Sequence, residues 1–173
     1  MNNYLSIITL NVNGLNAPIK RNRTAEWIRK HDPHICCLQE THLRTKDLHR
    51  LKVKGWKQIY QANGQEKKAG VAILISDKID FQRRAIKRDP EDHFIILKRR
   101  IHQKDINIVN ISALNIGAPK YIKKILEDLK KDIDSNTIIV GHLNTSLSKM
   151  DRSSKENINK DIVSLTIPFM KWT

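Results

Sequence analysis

The stretch Thr137-Ile138-Ile139-Val140-Gly141-His142-Leu143-Asn144-Thr145 decides the fold. Its first half is a run of β-branched apolar residues, which predicts a strand covered on both faces, because a half-exposed strand would alternate apolar with polar residues. The apolar run stops at Gly141, and His142, Asn144 and Thr145 follow. Ligands in α/β proteins bind just beyond the carboxyl ends of buried strands. The stretch therefore predicts a strand that leads into a site, and an ordinary loop is the alternative.

Three further apolar segments, over residues 4–10, 34–39 and 106–111, also end in polar residues. The polar residues that follow them are Asn11, Glu40, and Ser112 with Asn115. A carboxylate beside several amides suits a hard divalent cation and a phosphate. Glu40 is the only acid of this set, and a plain surface glutamate is the alternative.

Two helices are predicted beside these strands. Pro18 opens the first, which runs to about His31 with Trp27 and Ile28 on its inner side. The second opens at Pro119 and carries an apolar stripe at three- and four-residue spacing. We also expect strands over 56–61, 70–75 and 93–98, a hairpin loop at 103–105 and a weak helix over 156–165.

Length and composition predict one globular domain of 173 residues that carries a large positive charge. The chain has 32 Lys and Arg against 18 Asp and Glu, which gives a formal net charge of +14. Such an excess attracts polyanions, so nucleic acid is the first partner to consider. Charge that serves only solubility is the alternative.

The two cysteines and the absence of targeting patterns predict an intracellular protein. Cys36 and Cys37 are neighbours in an apolar strand, so their side chains point to opposite faces and make a poor disulfide or metal site. We expect buried, reduced thiols and a reducing compartment, either nucleus or cytoplasm. No signal pattern or membrane-spanning run is present in the sequence, so we expect a protein that is not secreted, has no membrane partner and no disulfide-linked partner, and is monomeric.

Four motifs in this order resemble the endonuclease/exonuclease/phosphatase superfamily. They are Thr9-Leu10-Asn11-Val12-Asn13-Gly14-Leu15, Leu38-Gln39-Glu40-Thr41-His42, Ala69-Gly70-Val71-Ala72-Ile73-Leu74 and Gly141-His142-Leu143-Asn144-Thr145. Three more look like the endonuclease domain of the long-interspersed-element retrotransposon reverse-transcriptase polyprotein. These are residues 54–64, 115–119 and 147–153, and the resemblance covers about residues 4–165.

The resemblance implies a fold and an activity. The implied fold is an α/β, four-layer sandwich of two mixed β-sheets flanked by helices, as in apurinic/apyrimidinic endonucleases and exonuclease III. We expect it over residues 1–165, incomplete at the C-terminus, with an unrelated short tail at 166–173. Family members hydrolyse a DNA phosphodiester with Mg²⁺, for which Mn²⁺ can substitute. The retrotransposon branch nicks DNA at thymine–adenine-rich targets.

The resemblance also implies roles for single residues. Glu40 would be the magnesium ligand, and Asn11 would help to position the metal and the phosphate. Asn144 would orient the phosphate, Asn115 would lie in the same pocket and contact nucleic acid, and Arg152 would lie near the DNA groove. From charge alone, further candidate phosphate contacts are Arg21, Arg23, Lys67, Lys68, Arg99 and Arg100. A solvated basic face is the alternative for each.

Three departures from the family pattern predict impaired catalysis and weakened metal binding. His142 stands where the family has the aspartate that activates water, and it brings no negative charge. Ser112 stands where the family has a tyrosine that contacts the phosphate. The family's closing aspartate and Ser-Asp-His run are not found in this sequence, so we expect unpaired sheet edges.

Three hypotheses follow. The first is an endonuclease-family chain that has lost most of its catalysis, and we favour it. The second is a working Mg²⁺-dependent nuclease in which His142 replaces the missing base. The third is a non-catalytic basic module that binds nucleic acid.

Overall fold

The computed structural model describes residues 4–62, 70–89, 93–101, 103–112, 124, 127, 130, 132, 134–142 and 162–168. Within these ranges the chain forms a helix α1 at Pro18–His31, a short 3₁₀ helix at Thr45–Arg50 and nine strands. The strands are β1 Tyr4–Asn11, β2 Ile35–Gln39, β3 Gln58–Ala62, β4 Val71–Ile75, β5 Phe81–Arg88, β6 Phe94–Ile101, β7 Lys104–Ser112, β8 Thr137–His142 and β9 Ile162–Pro168.

The strands form two mixed sheets, as the resemblance implies. The first sheet has five strands in the order β3-β4-β2-β1-β9, and the second has four in the order β5-β6-β7-β8. In the first sheet β1 and β2 are parallel, in the second β7 and β8 are parallel, and all other neighbouring strands are antiparallel. Each sheet therefore contains one parallel pair, and that pair orients its two carboxyl ends alike.

Alternating residues of both sheets fill the space between them. These residues form an inter-sheet cluster of Leu5, Ile7, Ile35, Cys37, Ala62, Val71, Ile73, Ile75, Ile79, Phe81, Ile95, Leu97, Ile101, Ile106, Ile108 and Val140. The intervening residues of the first sheet pack against α1, in an α1-side cluster of Val12, Leu15, Ala25, Ile28, Cys36, Leu38, Leu43, Leu51, Val53, Trp56, Ala72 and Leu74. Burial of each large apolar side chain contributes about 1.5–3 kcal/mol, so these two layers supply most of the stabilisation.

Helix α1 begins and ends where the sequence predicts. Pro18 occupies the first turn, where its missing N–H is not needed. Ile28 is fully buried beneath the helix, and Trp27 is half-buried against the same cluster. Asp32 then adopts a left-handed conformation, with a φ of 48°, and its N–H donates to the Ile28 carbonyl at 2.9 Å, which ends the helix.

The outer face of the second sheet contacts the segment in which the second helix is predicted. Lys124 and Glu127 are helical, and the rest of that helix is mostly outside the described residues. Asp132 accepts hydrogen bonds from Lys98 at 2.8 Å and Lys87 at 3.2 Å. The layers therefore lie in the order α1, first sheet, second sheet and the segment that contains Asp132, which agrees with the implied four-layer sandwich. No helix in the described ranges has both the length and the apolar character needed to cross a membrane.

Both cysteines are buried free thiols on opposite faces of β2, as predicted. Cys37 belongs to the inter-sheet cluster and Cys36 to the α1-side cluster. Burial raises the pKa of Cys36 to about 12 and the pKa of Cys37 well above its usual value. Neither thiol ionises at neutral pH, so both side chains act as small apolar groups.

Three expectations about strands and loops are wrong. The weak helix over 156–165 is not formed over its last residues, because Ile162–Pro168 is a strand antiparallel to β1. In residues 163–167, Val-Ser-Leu-Thr-Ile, apolar and polar residues alternate with period two, which favours a strand. This strand extends across residue 165, where we expect the domain boundary. The hairpin loop at 103–105 is shorter than expected, because Lys104 and Asp105 already pair with β6.

The third wrong expectation is that β8 is covered on both faces. Ile138 and Val140 pack against the inter-sheet cluster, but Ile139 on the opposite face is 42% exposed. A run of β-branched residues indicates a strand without indicating what covers each face. The sequence also gives no signal for β5, whose exposed residues include Gln82, Arg83 and Arg84. Charged residues are common on edge strands because they oppose strand-to-strand aggregation.

Arg99, expected as a phosphate contact, is buried instead. Its side chain is 1% exposed, and its guanidinium carbon lies 3.5 Å from the centroid of the Phe81 ring and 4.8 Å from that of Tyr60. None of its three side-chain nitrogens has a hydrogen-bond partner among the described residues. Burial lowers the pKa of the guanidinium to about 10. The nearby Tyr60 acts in the opposite direction and raises this pKa, but by less than burial lowers it. Strand alternation explains the error, because Arg99 follows Leu97 on the inner face of β6.

We predict that Arg99→Met stabilises the protein. A buried cation without hydrogen bonds costs more than its contact with the Phe81 ring contributes, so the free energy of unfolding in urea should rise by about 1–3 kcal/mol. Arg100→Met is the matched control, since the Arg100 side chain is 40% exposed and pairs with Asp105 at 3.2 Å. Its effect should stay below about 1 kcal/mol. A loss of stability in Arg99→Met would show that the ring contact outweighs the cost of burial.

Candidate active site

Four of the predicted site residues lie at the carboxyl ends of the two parallel strand pairs. Asn11 is the last residue of β1, and Glu40 follows the last residue of β2. Ser112 and His142 end β7 and β8, where they are directly opposite each other in the strand register. Strands β1 and β2 pack across the sandwich against β8, and β2 also packs against β7. The two strand pairs that carry these four residues therefore pack against each other.

A buried hydrogen-bond network, here called the amide network, joins the two sheets at this end. It consists of Thr9, Gln39 and Asn110. The Asn110 side-chain nitrogen donates to the carbonyls of Leu38 at 3.0 Å and Ala72 at 2.9 Å. The Gln39 side-chain nitrogen donates to Asn110 Oδ1 at 2.7 Å and to Thr9 Oγ1 at 2.8 Å. Asn11, Glu40 and Ser112 thus lie at the same end of the sandwich.

Backbone hydrogen bonds connect the loop after β1 to the loop after β2. The N–H of Gly14 donates to the Glu40 carbonyl at 2.6 Å, and the N–H of Leu15 donates to the Thr41 carbonyl at 2.8 Å. Thr41 in turn donates its N–H to the Gly70 carbonyl at 3.1 Å, just before β4. The backbone of Glu40 is therefore fixed from both neighbouring strands.

The same two loops contain strained backbone. Glu40 and His42 have φ angles of 53° and 55°, and Asn13 has 47°, all in the left-handed region that disfavours residues with a Cβ. Gly14, with a φ of 94°, is the member of the set that fits this region without strain. Strain of this kind costs about 1–3 kcal/mol per residue and clusters at functional sites.

His42 contacts this site, whereas the sequence favours a structural role for it. A Cβ on Gly14 would lie 3.1 Å from His42 Nδ1, so the imidazole packs against the glycine. Burial lowers the pKa of His42, while the Glu40 carboxylate raises it and the Lys20 ammonium lowers it further. Lys20 is anchored by a 2.7 Å hydrogen bond from Nζ to the Asn13 carbonyl. Its position one turn into α1 gives no sequence signal of this proximity.

Gly141 brings His142 next to Ser112. It has a φ of 148°, and a Cβ at this position would lie 1.9 Å from the Ile111 carbonyl oxygen, in the neighbouring strand. Only glycine allows β8 to approach β7 so closely. The glycine that precedes the polar residues in the opening motif therefore serves the placement of residue 142 beside residue 112.

The donor atoms at this end suit a hard cation in kind. Glu40 supplies a carboxylate, and Asn11 supplies an amide whose Oδ1 also accepts the Asn13 N–H at 3.1 Å. Mg²⁺ is held by one or two carboxylates together with water and substrate phosphates. No three His, Cys, Asp or Glu side chains of the described residues converge on a common metal position. Glu40 and Asn11 are therefore the described residues whose donor atoms could hold such an ion.

The other predicted residues have mixed outcomes. Five lie outside the described residues: Lys67, Lys68, Asn115, Asn144 and Arg152. Arg21 donates from Nη1 to the carbonyls of Leu15 at 2.9 Å and Asn16 at 2.7 Å, so it supports the loop after β1. Arg23 is exposed on α1, which is compatible with a phosphate contact. The amide network was not predicted, although Gln39 and Asn110 interrupt apolar runs and could have signalled buried polar partners.

Comparison with known proteins supports the same family. The sequence matches the Endonuclease/Exonuclease/phosphatase family over residues 8–170. The chain belongs to this family. Its fold resembles an AP endonuclease from Archaeoglobus fulgidus, with a TM-score of 0.62, 21% identity, and coverage of 85% of this chain and 60% of that protein.

Two other solved structures show the same fold. TDP2 from Caenorhabditis elegans matches with a TM-score of 0.62 and 19% identity, over 83% of this chain and 48% of that protein. D. rerio TDP2 in complex with a single-strand DNA product matches with a TM-score of 0.63 and 17% identity, over 84% and 62%. The family member described here thus spans about half to two thirds of these proteins.

We predict that the pKa of His42 responds to its two charged neighbours in opposite directions. Glu40→Gln should lower it, because the carboxylate favours the imidazolium, and Lys20→Met should raise it. The measurement is an NMR titration of the imidazole protons. Lys30→Met is the control, since ten helical residues place it about 15 Å along α1 from Lys20, beyond the screening length.

The protonation of His42 also makes the stability of the protein depend on pH. Because folding lowers the pKa of His42 below its ordinary 6.5, the neutral imidazole contributes stability above pH 6.5 that is lost as the pH falls through the folded-state pKa. A titration unaffected by both Glu40→Gln and Lys20→Met would place His42 away from Glu40.

Proposed function

We propose that this chain is a retrotransposon-derived member of the family that binds DNA but cleaves phosphodiesters slowly. The observation that carries the proposal is the identity of residue 142, because an imidazole ends β8 where the family motif has an aspartate. Glu40, Asn11, Asn115 and Asn144 remain from the motif, and His142 and Ser112 depart from it.

The retained residues account for substrate binding. Mg²⁺, when bound, would neutralise charge on the phosphate oxygens. Glu40 would hold the ion, and Asn11 would orient both the ion and the phosphate. The hydrogen bonds that fix the Glu40 backbone support a preformed carboxylate position.

The departures account for slow cleavage. The reaction requires a base that takes a proton from the attacking water while holding it in line with the scissile bond. An imidazole at residue 142 is longer than a carboxylate and adds no negative charge beside the metal. Loss of a positioned base costs about 10²–10⁴-fold in rate. Ser112 is too short to replace a phenol at the phosphate.

A plasmid-nicking assay tests this. We expect His142→Asp to nick supercoiled plasmid in Mg²⁺ about 10²-fold or more faster than the natural sequence, because it restores the base. Glu40→Gln in the His142→Asp background should abolish nicking, and a chelator should do the same. Equal and chelator-sensitive rates for the natural sequence and His142→Asp would mean that His142 serves as the base and that the chain is a working nuclease.

A non-catalytic nucleic-acid-binding role is the second candidate, favoured by the net charge of +14. The neighbour that was solved with a single-strand DNA product supports nucleic acid as the ligand class. Lys67 and Lys68 are suitable contacts, because they precede Gly70, whose carbonyl binds Thr41 in the site loop. Arg23, Arg152 and Asn115 complete the proposed contact set.

We predict that DNA binding weakens steeply with salt and that the lysine pair contributes to the slope. Each phosphate contact adds about −0.9 to the slope of log affinity against log salt, so Lys67→Gln/Lys68→Gln should make the slope less negative by about two. Lys54→Gln/Lys57→Gln is a control of equal charge. These lysines flank Gly55, which binds Asp77 at the opposite end of the sandwich. Equal slopes for both double variants would place the DNA elsewhere.

A further inference from the structure

Building on the proposed function, we propose that Thr9, Gln39 and Asn110 are positioning residues that fix the two halves of the site relative to each other. Asn110 is 0% exposed, Gln39 1% and Thr9 4%. Amides are seldom buried so completely, and a buried polar group is costly unless its hydrogen bonds are made. The complete burial of three linked polar side chains therefore calls for a function.

The side-chain nitrogens in the amide network use all their protons. Asn110 donates both amide protons to Leu38 and Ala72, which are directly opposite each other in β2 and β4. Gln39 donates one proton to Asn110 Oδ1 and the other to Thr9 Oγ1. An amide with both protons and its oxygen engaged cannot rotate without breaking bonds. Asn110 meets this condition in full, and both protons of the Gln39 amide are engaged.

The network lies one layer below the site. Thr9 is two residues before Asn11, Asn110 is two residues before Ser112, and Gln39 immediately precedes Glu40. Residues two apart in a strand share a face and are separated by about 7 Å. Among the described residues no backbone ladder joins the two sheets, and the apolar cluster between them is non-directional. The directional hydrogen bonds from Asn110 to β2 and β4 therefore fix the position of the end of β7, with Ser112, relative to the end of β2, with Glu40.

The network also supports the strained backbone at Glu40. The Gln39 side chain is fixed by two hydrogen bonds, and its carbonyl accepts the Val12 N–H at 3.0 Å. Glu40, the next residue in the chain, has the left-handed φ of 53°. Strained conformations persist only where the surroundings over-determine them. Loosening Gln39 should therefore release Glu40 and the two site loops before it affects the rest of the fold.

Native-state hydrogen exchange on the full chain tests this. Thr9→Val removes the hydroxyl and keeps the shape, whereas Thr9→Ser keeps the hydroxyl. We expect Thr9→Val to speed exchange of the Gly14, Leu15 and Thr41 amides about tenfold relative to the core amide of Leu97. Thr9→Ser should restore the slow exchange. Asn110→Leu should resemble Thr9→Val, and Thr9→Val decides alone if Asn110→Leu does not fold.

Ile108→Val is the matched control, because Ile108 is fully buried on the same face of β7, two residues before Asn110. It should speed exchange at the loops and at Leu97 by the same factor. An equal change at loops and core in Thr9→Val, or failure of Thr9→Ser to restore protection, would overturn the positioning role. Mn²⁺-induced NMR broadening around Glu40 separates this from the proposed function. Absence of broadening in the natural sequence would remove the metal site, while the exchange data would still decide the role of the network.

Discussion

The constraint on which this structure depends is the contact between two sheets that share no backbone ladder in the described part of the chain. Along most of their length, apolar residues such as Ile73 and Ile108 fill the gap, and they determine that the sheets pack without determining their exact offset. At one end the apolar residues give way to Thr9, Gln39 and Asn110. Their hydrogen bonds have fixed lengths and directions, so this end of the sandwich has the most closely defined geometry. The candidate site is built on it.

Much of the fold could be predicted because its signals are local. The apolar runs of β1, β2 and β4 and the Pro18 and Asp32 boundaries of α1 arise from residues that are adjacent in sequence. The errors occurred where a neighbouring element decides the outcome. Strand β9 forms by pairing with β1, more than 150 residues away in sequence, and β5 is an edge strand whose charges conceal its period. Neither partner can be read from the segment itself.

The sequence predicts which polar residues follow the strands, but not which other side chains lie next to them in the fold. Strand ends and family motifs predict Asn11, Glu40 and Ser112 as site residues, because polar residues after apolar runs are visible in sequence, and the structure places all three at one end of the sandwich. His42 and Lys20 were missed as neighbours of Glu40. Left-handed backbone in the loops and the first turn of α1 bring the three residues together, and neither leaves a pattern in the sequence. Arg99 was misassigned for the opposite reason. Its charge suggested the surface, whereas strand alternation places it beside Phe81 in the interior.

The substitution at residue 142 is best understood against this rigid frame. Gly141 allows so close an approach to Ile111 that the backbone at residue 142 has little freedom to move. Under the proposed function, the aspartate of the family motif and His142 would therefore start from the same backbone position and differ in side-chain length and charge. On that proposal a rigid backbone matters to the reaction, since catalysis depends on position to within fractions of an ångström.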